Sequence, residues 1–316
     1  VAATSIAAGC GSDDGASGDR PEIVVTTTTL GAVVQDLVGD TAEVVVLMPD
    51  GIDPHDFQPS AQDAAALGGA DLVVENGLDL EEGLEDAISA ARRDGVAVFS
   101  ATDHVTLREF GEDEHSDEEH SDEEEAHADE EGEEAHSDEE EHGHGPEDPH
   151  IWMDPIAMRD VALALAPVLD RDLGLDLGDR SADLDARLGE LDAEIRESLS
   201  VIPEARRKLV TGHESMGYFA DRYDFELIGA LIPSLSSQSQ VSASNLAGLR
   251  ELIEAEGVPA IFNETGTPEG VADAIGDQTG ARVVEIASHN LPDDGSYFTF
   301  MRDVAAAVED GLTKES

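Results

Sequence analysis

Lysine is nearly missing from this sequence: Lys208 and Lys314 are the only two, and every other basic residue is an arginine. Lys and Arg together number 17 against 73 Asp and Glu, for a formal net charge of -56. That balance excludes nucleic acid as a partner, because phosphate binding is built from Lys and Arg. Cysteine occurs once, at Cys10, which excludes a disulfide within the chain. No stretch approaches the ~20 consecutive apolar residues of a membrane-spanning helix. Hydrophobic residues still make up 40%, enough for real cores, and 316 residues suit one large domain or two lobes of ordinary size.

Part of the acid is concentrated. Residues 111–147 hold 20 Asp or Glu, no Lys or Arg, and almost nothing apolar. Such a segment cannot bury enough surface to offset its ordering entropy, so a disordered acidic loop is expected there. The rest is acidic too. An acid-coated, lysine-poor surface suits concentrated salt, where self-repulsion is screened; the plainer alternative is an ordinary acidic extracellular protein.

Cys10 follows Ser5, Ile6, Ala7, Ala8 and Gly9. Small residues before a Cys near the N-terminus resemble a lipobox, with Ala7 where leucine is usual. On that resemblance residues 1–10 are the remnant of a signal peptide, Cys10 is the lipidated residue, and the Gly-, Ser- and Asp-rich stretch 11–21 is a tether. The alternative is an incidental cysteine in a frayed terminus.

Beyond the tether, strands and helices alternate. Residues 23–28, 42–48, 71–75 and 96–100 read as strands, with helices over 31–38, from Ser60 to about Leu67, and over 80–92. Ser60 and Asp63 form a capping-box pattern. After the acidic segment, helical periodicity runs from Pro155 to about Leu173. A second helix spans about 181–200, with Leu184, Leu188, Leu191 and Ile195 along one stripe. Strands over 208–211, 226–231, 260–263 and 282–286 then alternate with helices starting near Ser215, Ser242, Pro268 and Ser296. The pattern is α/β: two βα lobes with parallel sheets joined by a helical rod. The lobes are expected over 22–174 and 203–316, with the connecting helix in 175–202.

Six of the 11 histidines lie in the acidic segment: His115, His120, His127, His136, His142 and His144. Their clustering points to weak metal sites; the alternative is a solvated linker with incidental histidines. Four others share an address. His55 follows the second strand, His150 the insertion after the fourth, and His213 and His289 the strands ending near Thr211 and Ile286. Open parallel sheets bind ligands outside the carboxyl ends of their strands, so the four can converge between the lobes. Neutral imidazole is the commonest metal ligand, and four suit tetrahedral Zn²⁺. Asp53, Asp56, Asp148, Asp154, Glu214 and Glu264 are candidates to orient the rings; each is otherwise a solvated acid or a helix cap. A histidine site should lose metal on acidification, with a large loss expected by about pH 5.

Two stretches carry a family resemblance. Asp53-Pro54-His55-Asp56-Phe57-Gln58-Pro59-Ser60 resembles the D-P-H-x-[YF]-x-P-[ST] signature of zinc- and manganese-type solute-binding proteins of ABC importers. Asp148-Pro149-His150-Ile151-Trp152-Met153-Asp154-Pro155 resembles their second signature, D-P-H-x-W-x-D-P. The acidic, histidine-rich insertion resembles that of the zinc-binding branch. The resemblance covers about 22–314 and implies two βα lobes, a long rigid connecting helix and a metal in the inter-lobe cleft. It implies His55, His150 and His213 as ligands. The family's fourth ligand is usually Asp, and here His289 stands in that place, with Asp293, Asp294, Glu264 or water as alternatives. His104 matches no ligand and is expected at the surface.

The implied function is extracytoplasmic zinc capture for an ABC permease and its ATPase, by a monomer lipid-anchored to the outer face of the cytoplasmic membrane. A manganese or iron carrier of the same family is the alternative. A zinc hydrolase would need an open coordination position and a base; no H-E-x-x-H motif is present, and Glu214 beside His213 is the only obvious base. An adhesin-like surface protein that keeps the fold is the last alternative.

Overall fold

The computed structural model describes residues 20–110, 147–268 and 270–314. The strands are β1 (Glu22–Val25), β2 (Glu43–Val46), β3 (Leu72–Glu75), β4 (Ala97–Ser100), β5 (Lys208–His213), β6 (Glu226–Ile232), β7 (Ala260–Asn263) and β8 (Arg282–Glu285). The helices are α1 (Thr28–Val38), α2 (Ala61–Gly69), α3 (Glu85–Asp94), α4 (Pro155–Leu173), α5 (Arg180–Leu199), α6 (Gly217–Tyr223), α7 (Ala243–Glu256), α8 (Val271–Thr279) and α9 (Tyr297–Thr313).

The strands form two parallel four-stranded sheets, ordered β2-β1-β3-β4 and β6-β5-β7-β8. Both orders reverse direction beside the first strand of the sheet. The carboxyl edge at such a reversal is where open α/β sheets bind ligands.

Burial follows the period of two along each strand. In β1, Ile23 and Val25 face inward, while Val24 faces the outer layer with Val73, Leu67, Leu84 and Ile88. The second sheet has a matching outer layer, where Val210 and Ile261 pack against Leu249 and Ile253 of α7 and Ile275 of α8. Between the sheets lies one continuous core. It joins Ile23 and Val25 to Leu165 and Leu169 of α4, Leu188 and Ile195 of α5, Leu209 of β5, Phe262 of β7 and Val304 of α9. The stripe read along α5 is therefore buried, and α5 packs on α4, α1 and α9 rather than crossing open space.

Helix starts follow their local chemistry. Ser60 Oγ accepts from the backbone N of Gln62 and of Asp63, each at 3.2 Å, and Asp63 Oδ2 accepts from Ser60 N at 2.7 Å. Asp154 caps α4, accepting from Ile156 N at 2.7 Å, with Pro155 opening the helix. Two expectations shift. β1 stops at Val25, and Thr28 already lies in α1. The threonine run carries strand propensity, but Gly31 N bonds Thr27 O at 2.9 Å and turns the chain into helix. α8 starts at Val271, after Gly270 in the left-handed region, rather than at Pro268.

Candidate metal centre

The carboxyl edges of both sheets deliver histidines to one point. His55 sits on a single helical turn, Pro54–Asp56, after β2. His150 precedes the turn that leads into α4, His213 is the last residue of β5, and His289 follows β8. His150 Nε2 lies 3.4 Å from His55 Nε2 and 3.2 Å from His213 Nε2. One ring nitrogen from each of these three falls within 4.8 Å of the others. His289 stands alongside: its ring stacks on His213 at 17°, centres 5.9 Å apart. Its Nδ1 is 2.9 Å from Ser288 Oγ, and its Nε2 is buried with no hydrogen-bond partner.

Burial holds three of the rings neutral: His55, His150 and His289. The pKa of His55 is pushed down to about 3, first by burial and then by His150 and His213. His150 and His289 are held well below the usual histidine range, by burial and then by His213. Neutral imidazole keeps a lone pair for a cation. These neutral rings offer lone pairs, and acids are set just behind them.

Those acids have distinct duties. Asp148 Oδ1 is 2.7 Å from His150 Nδ1 and also accepts from His150 N at 2.9 Å, so the ring's Nε2 faces the other histidines. Burial pushes the Asp148 carboxyl up to about 7, against the pull of Arg108, whose guanidinium is 3.7 Å away. Glu264 is buried 3.5 Å from His213 Nδ1, accepting from Gly212 N at 3.0 Å and from the Ser215 hydroxyl at 2.5 Å. Asp53 accepts from His55 N at 3.0 Å, bracing the backbone rather than the ring.

The remaining candidates lie elsewhere. Asp154 caps α4, and Asp56 is exposed. Glu214 is half-buried, with its backbone N bonded to Ser234 O at 3.0 Å. Asp293 and Asp294 are exposed, and Asp294 accepts from Ser296 N at 3.0 Å and from the Thr299 hydroxyl at 2.8 Å before α9. His104 is exposed and stacks on Phe99. Cys10 and the loop histidines His115, His120, His127, His136, His142 and His144 fall outside the described residues.

Several supports carried no signal in the sequence. Asn76 Nδ2 donates to Pro149 O at 2.9 Å, holding the turn before His150. Buried Glu81 secures that asparagine, accepting from Asn76 N at 2.6 Å. Tyr218 accepts from Arg108 N and donates to Asp148 O, each at 3.1 Å. The Trp152 indole N donates to Ser288 O at 2.9 Å, beside His289.

This geometry agrees with what the chain resembles. A family model described as zinc-uptake complex component A, periplasmic, matches residues 23–311. The zinc-binding protein TroA of Treponema pallidum is 29% identical over 290 residues, which cover 90% of this chain and 83% of that protein. The manganese-binding lipoprotein MntA of Halalkalibacterium halodurans is 26% identical, over 98% of this chain and 95% of its own. The solved structure of the periplasmic TroA superposes with a TM-score of 0.73 at 23% identity, covering 93% of this chain and all of that one. With the three clustered histidines and His289 all inside the matched region, the chain belongs to the zinc-uptake complex component A family, the metal-binding substrate-binding proteins of ABC transporters.

Proposed function

We propose that this protein captures one Zn²⁺ outside the cytoplasm and delivers it to the permease and ATPase of an ABC importer. His55, His150, His213 and His289 are the ligands. The donor set carries the choice of metal: three imidazoles meet at a buried point, His289 stands beside them with a bare Nε2, and among the described residues no carboxylate oxygen joins the group. Imidazole suits zinc, whereas manganese is better served by oxygen. The spacing supports the same reading. Bonds of 2.0–2.1 Å in a tetrahedron put neighbouring nitrogens ~3.3 Å apart. Two of the three separations here are 3.4 and 3.2 Å, and the third lies within 4.8 Å. The bare Nε2 of His289 supports it further, since an unpartnered buried acceptor costs ~1–3 kcal/mol that a bound cation would recover.

Four protein nitrogens close the coordination sphere and leave no place for a reacting water, so the protein is a carrier and not an enzyme. Cys10 anchors it through lipid, it works as a monomer, and the histidines of 111–147 are weak, fast-exchanging sites that gather metal. X-ray absorption on the zinc-loaded protein tests the ligand set: four nitrogens near 2.0 Å are expected. A carboxylate or water oxygen in the first coordination sphere would remove His289 from it. Competition between Zn²⁺ and Mn²⁺ tests the metal; equal affinity would return the manganese reading.

A further inference from the structure

The metal site reaches across the lobes through one carboxylate that is no ligand. Asp53 is buried, and its two oxygens look in opposite directions. Oδ1 accepts from His55 N at 3.0 Å within the first lobe. Oδ2 accepts from the hydroxyl of Ser237 at 2.5 Å, in the segment between β6 and α7 of the second lobe. Ser237 is itself buried. Opposite stands Gly266, at φ +93. A Cβ there would collide with Asp53 Oδ2 and come within 3.0 Å of Ser237 Cβ. Only glycine suits both the backbone angle and the space. Gly266 also lies two residues after Glu264, the acid beside His213.

We infer that Ser237 and Gly266 form a keeper for Asp53, a latch that holds the lobes together behind His55 and sets how slowly metal leaves. The inference rests on the zinc-capture reading. The latch is physically economical. Opening the cleft withdraws Asp53 from Ser237, and the same withdrawal frees the backbone brace of His55. Loss of one inter-lobe hydrogen bond to a carboxylate thus loosens a ligand from the opposite lobe to the one mutated. Ser237 and Gly266 act through Asp53, which they contact, so both are positioning residues.

The test is zinc dissociation into excess chelator, followed by stopped flow. Ser237→Ala should speed release by ~10-fold or more, the scale of a buried hydrogen bond to a charged group. Gly266→Ala should do the same by displacing Asp53. In an Asp53→Ala background, Ser237→Ala should add nothing, because the keeper acts only through that carboxylate. Unchanged release in Ser237→Ala, or additive effects in the double variant, would overturn the latch. Hydrogen exchange separates this from the metal reading. In metal-free protein, Ser237→Ala should hasten exchange in the peptide holding His55 N, whatever the wild type binds. A wild type without tight zinc binding would end the capture reading; unchanged exchange would end the latch.

Discussion

The indole of Trp152 meets the imidazole of His150 edge to face, with ring centres 5.2 Å apart at 62°. The same indole lies 5.5 Å from the ring of His289. Trp152 is the only tryptophan in the chain, so its fluorescence has a single origin. Zinc binding should change that emission and saturate at one equivalent. Emission that ignores zinc while calorimetry records tight binding would put the metal away from Trp152.

His289 should matter, but less than His55 or His150. His289→Ala is expected to weaken zinc by ~10–100-fold, because water can fill the fourth position. His55→Ala and His150→Ala should cost more, because each removes a ring of the close three-histidine cluster beside which His289 stands. His289→Asp adds an oxygen donor and should narrow the preference for zinc over manganese. Competition titrations on the four proteins check the order.

Acid should release zinc later than the sequence suggests. For ordinary imidazoles at pKa ~6.5, four ligands together would forfeit several orders of magnitude in affinity between pH 7 and 5. Burial pushes His55 down to about 3 and holds His150 and His289 well below the usual range. Protons therefore compete weakly at these three rings in the closed form, and the loss by pH 5 should be smaller than four ordinary imidazoles would give. The price appears in folding. These groups have depressed folded pKa values, so their stability is complete above ~6.5 and declines as pH falls below it, by up to ~1.4 kcal/mol per unit for each such ring. Melting of metal-free protein across pH 7 to 4 checks the direction; a midpoint that rises on acidification would contradict it.

Removing residues 112–146 should leave the fold and the tight site intact. The flanks already meet: Glu109 and Glu147 form an antiparallel bridge, and Asp148 N donates to Arg108 O at 2.8 Å. A short Gly-Ser link would span the neck, and loop length changes closure entropy only logarithmically. Calorimetry should count one tight zinc in the shortened protein and several weaker ones in the full chain. Loss of the tight site with the fold preserved would require a ligand from the removed segment.

The convergence of His55, His150 and His213 was legible because strand ends are. The runs ending before His55, His213 and His289 are short and apolar, and a parallel sheet gives its carboxyl edge only one use. The acids were not separable. Asp53, Asp56, Asp148 and Asp154 share the same two motifs, yet one braces a backbone, one is exposed, one holds a ring and one caps a helix. Only three-dimensional register sorts them. Ser237 gave no signal at all: it lies 184 residues from its partner Asp53, among other serines. The start of α1 was misread because Thr26, Thr27 and Thr28 carry strand propensity that tertiary contacts override.

The shared core bears on how the molecule melts and how far it can gape. Leu188 of α5 and Phe262 of β7 belong to the same buried cluster as Ile23 of β1. Pulling the sheets apart would expose that cluster to water at ~25 cal/mol for each Å² of apolar area. Heat should therefore unfold both halves in one transition, and neither half should survive expression alone. Wide swinging of the lobes is opposed on the same ground, which leaves a short opening at the cleft as the motion the Asp53–Ser237 contact would resist.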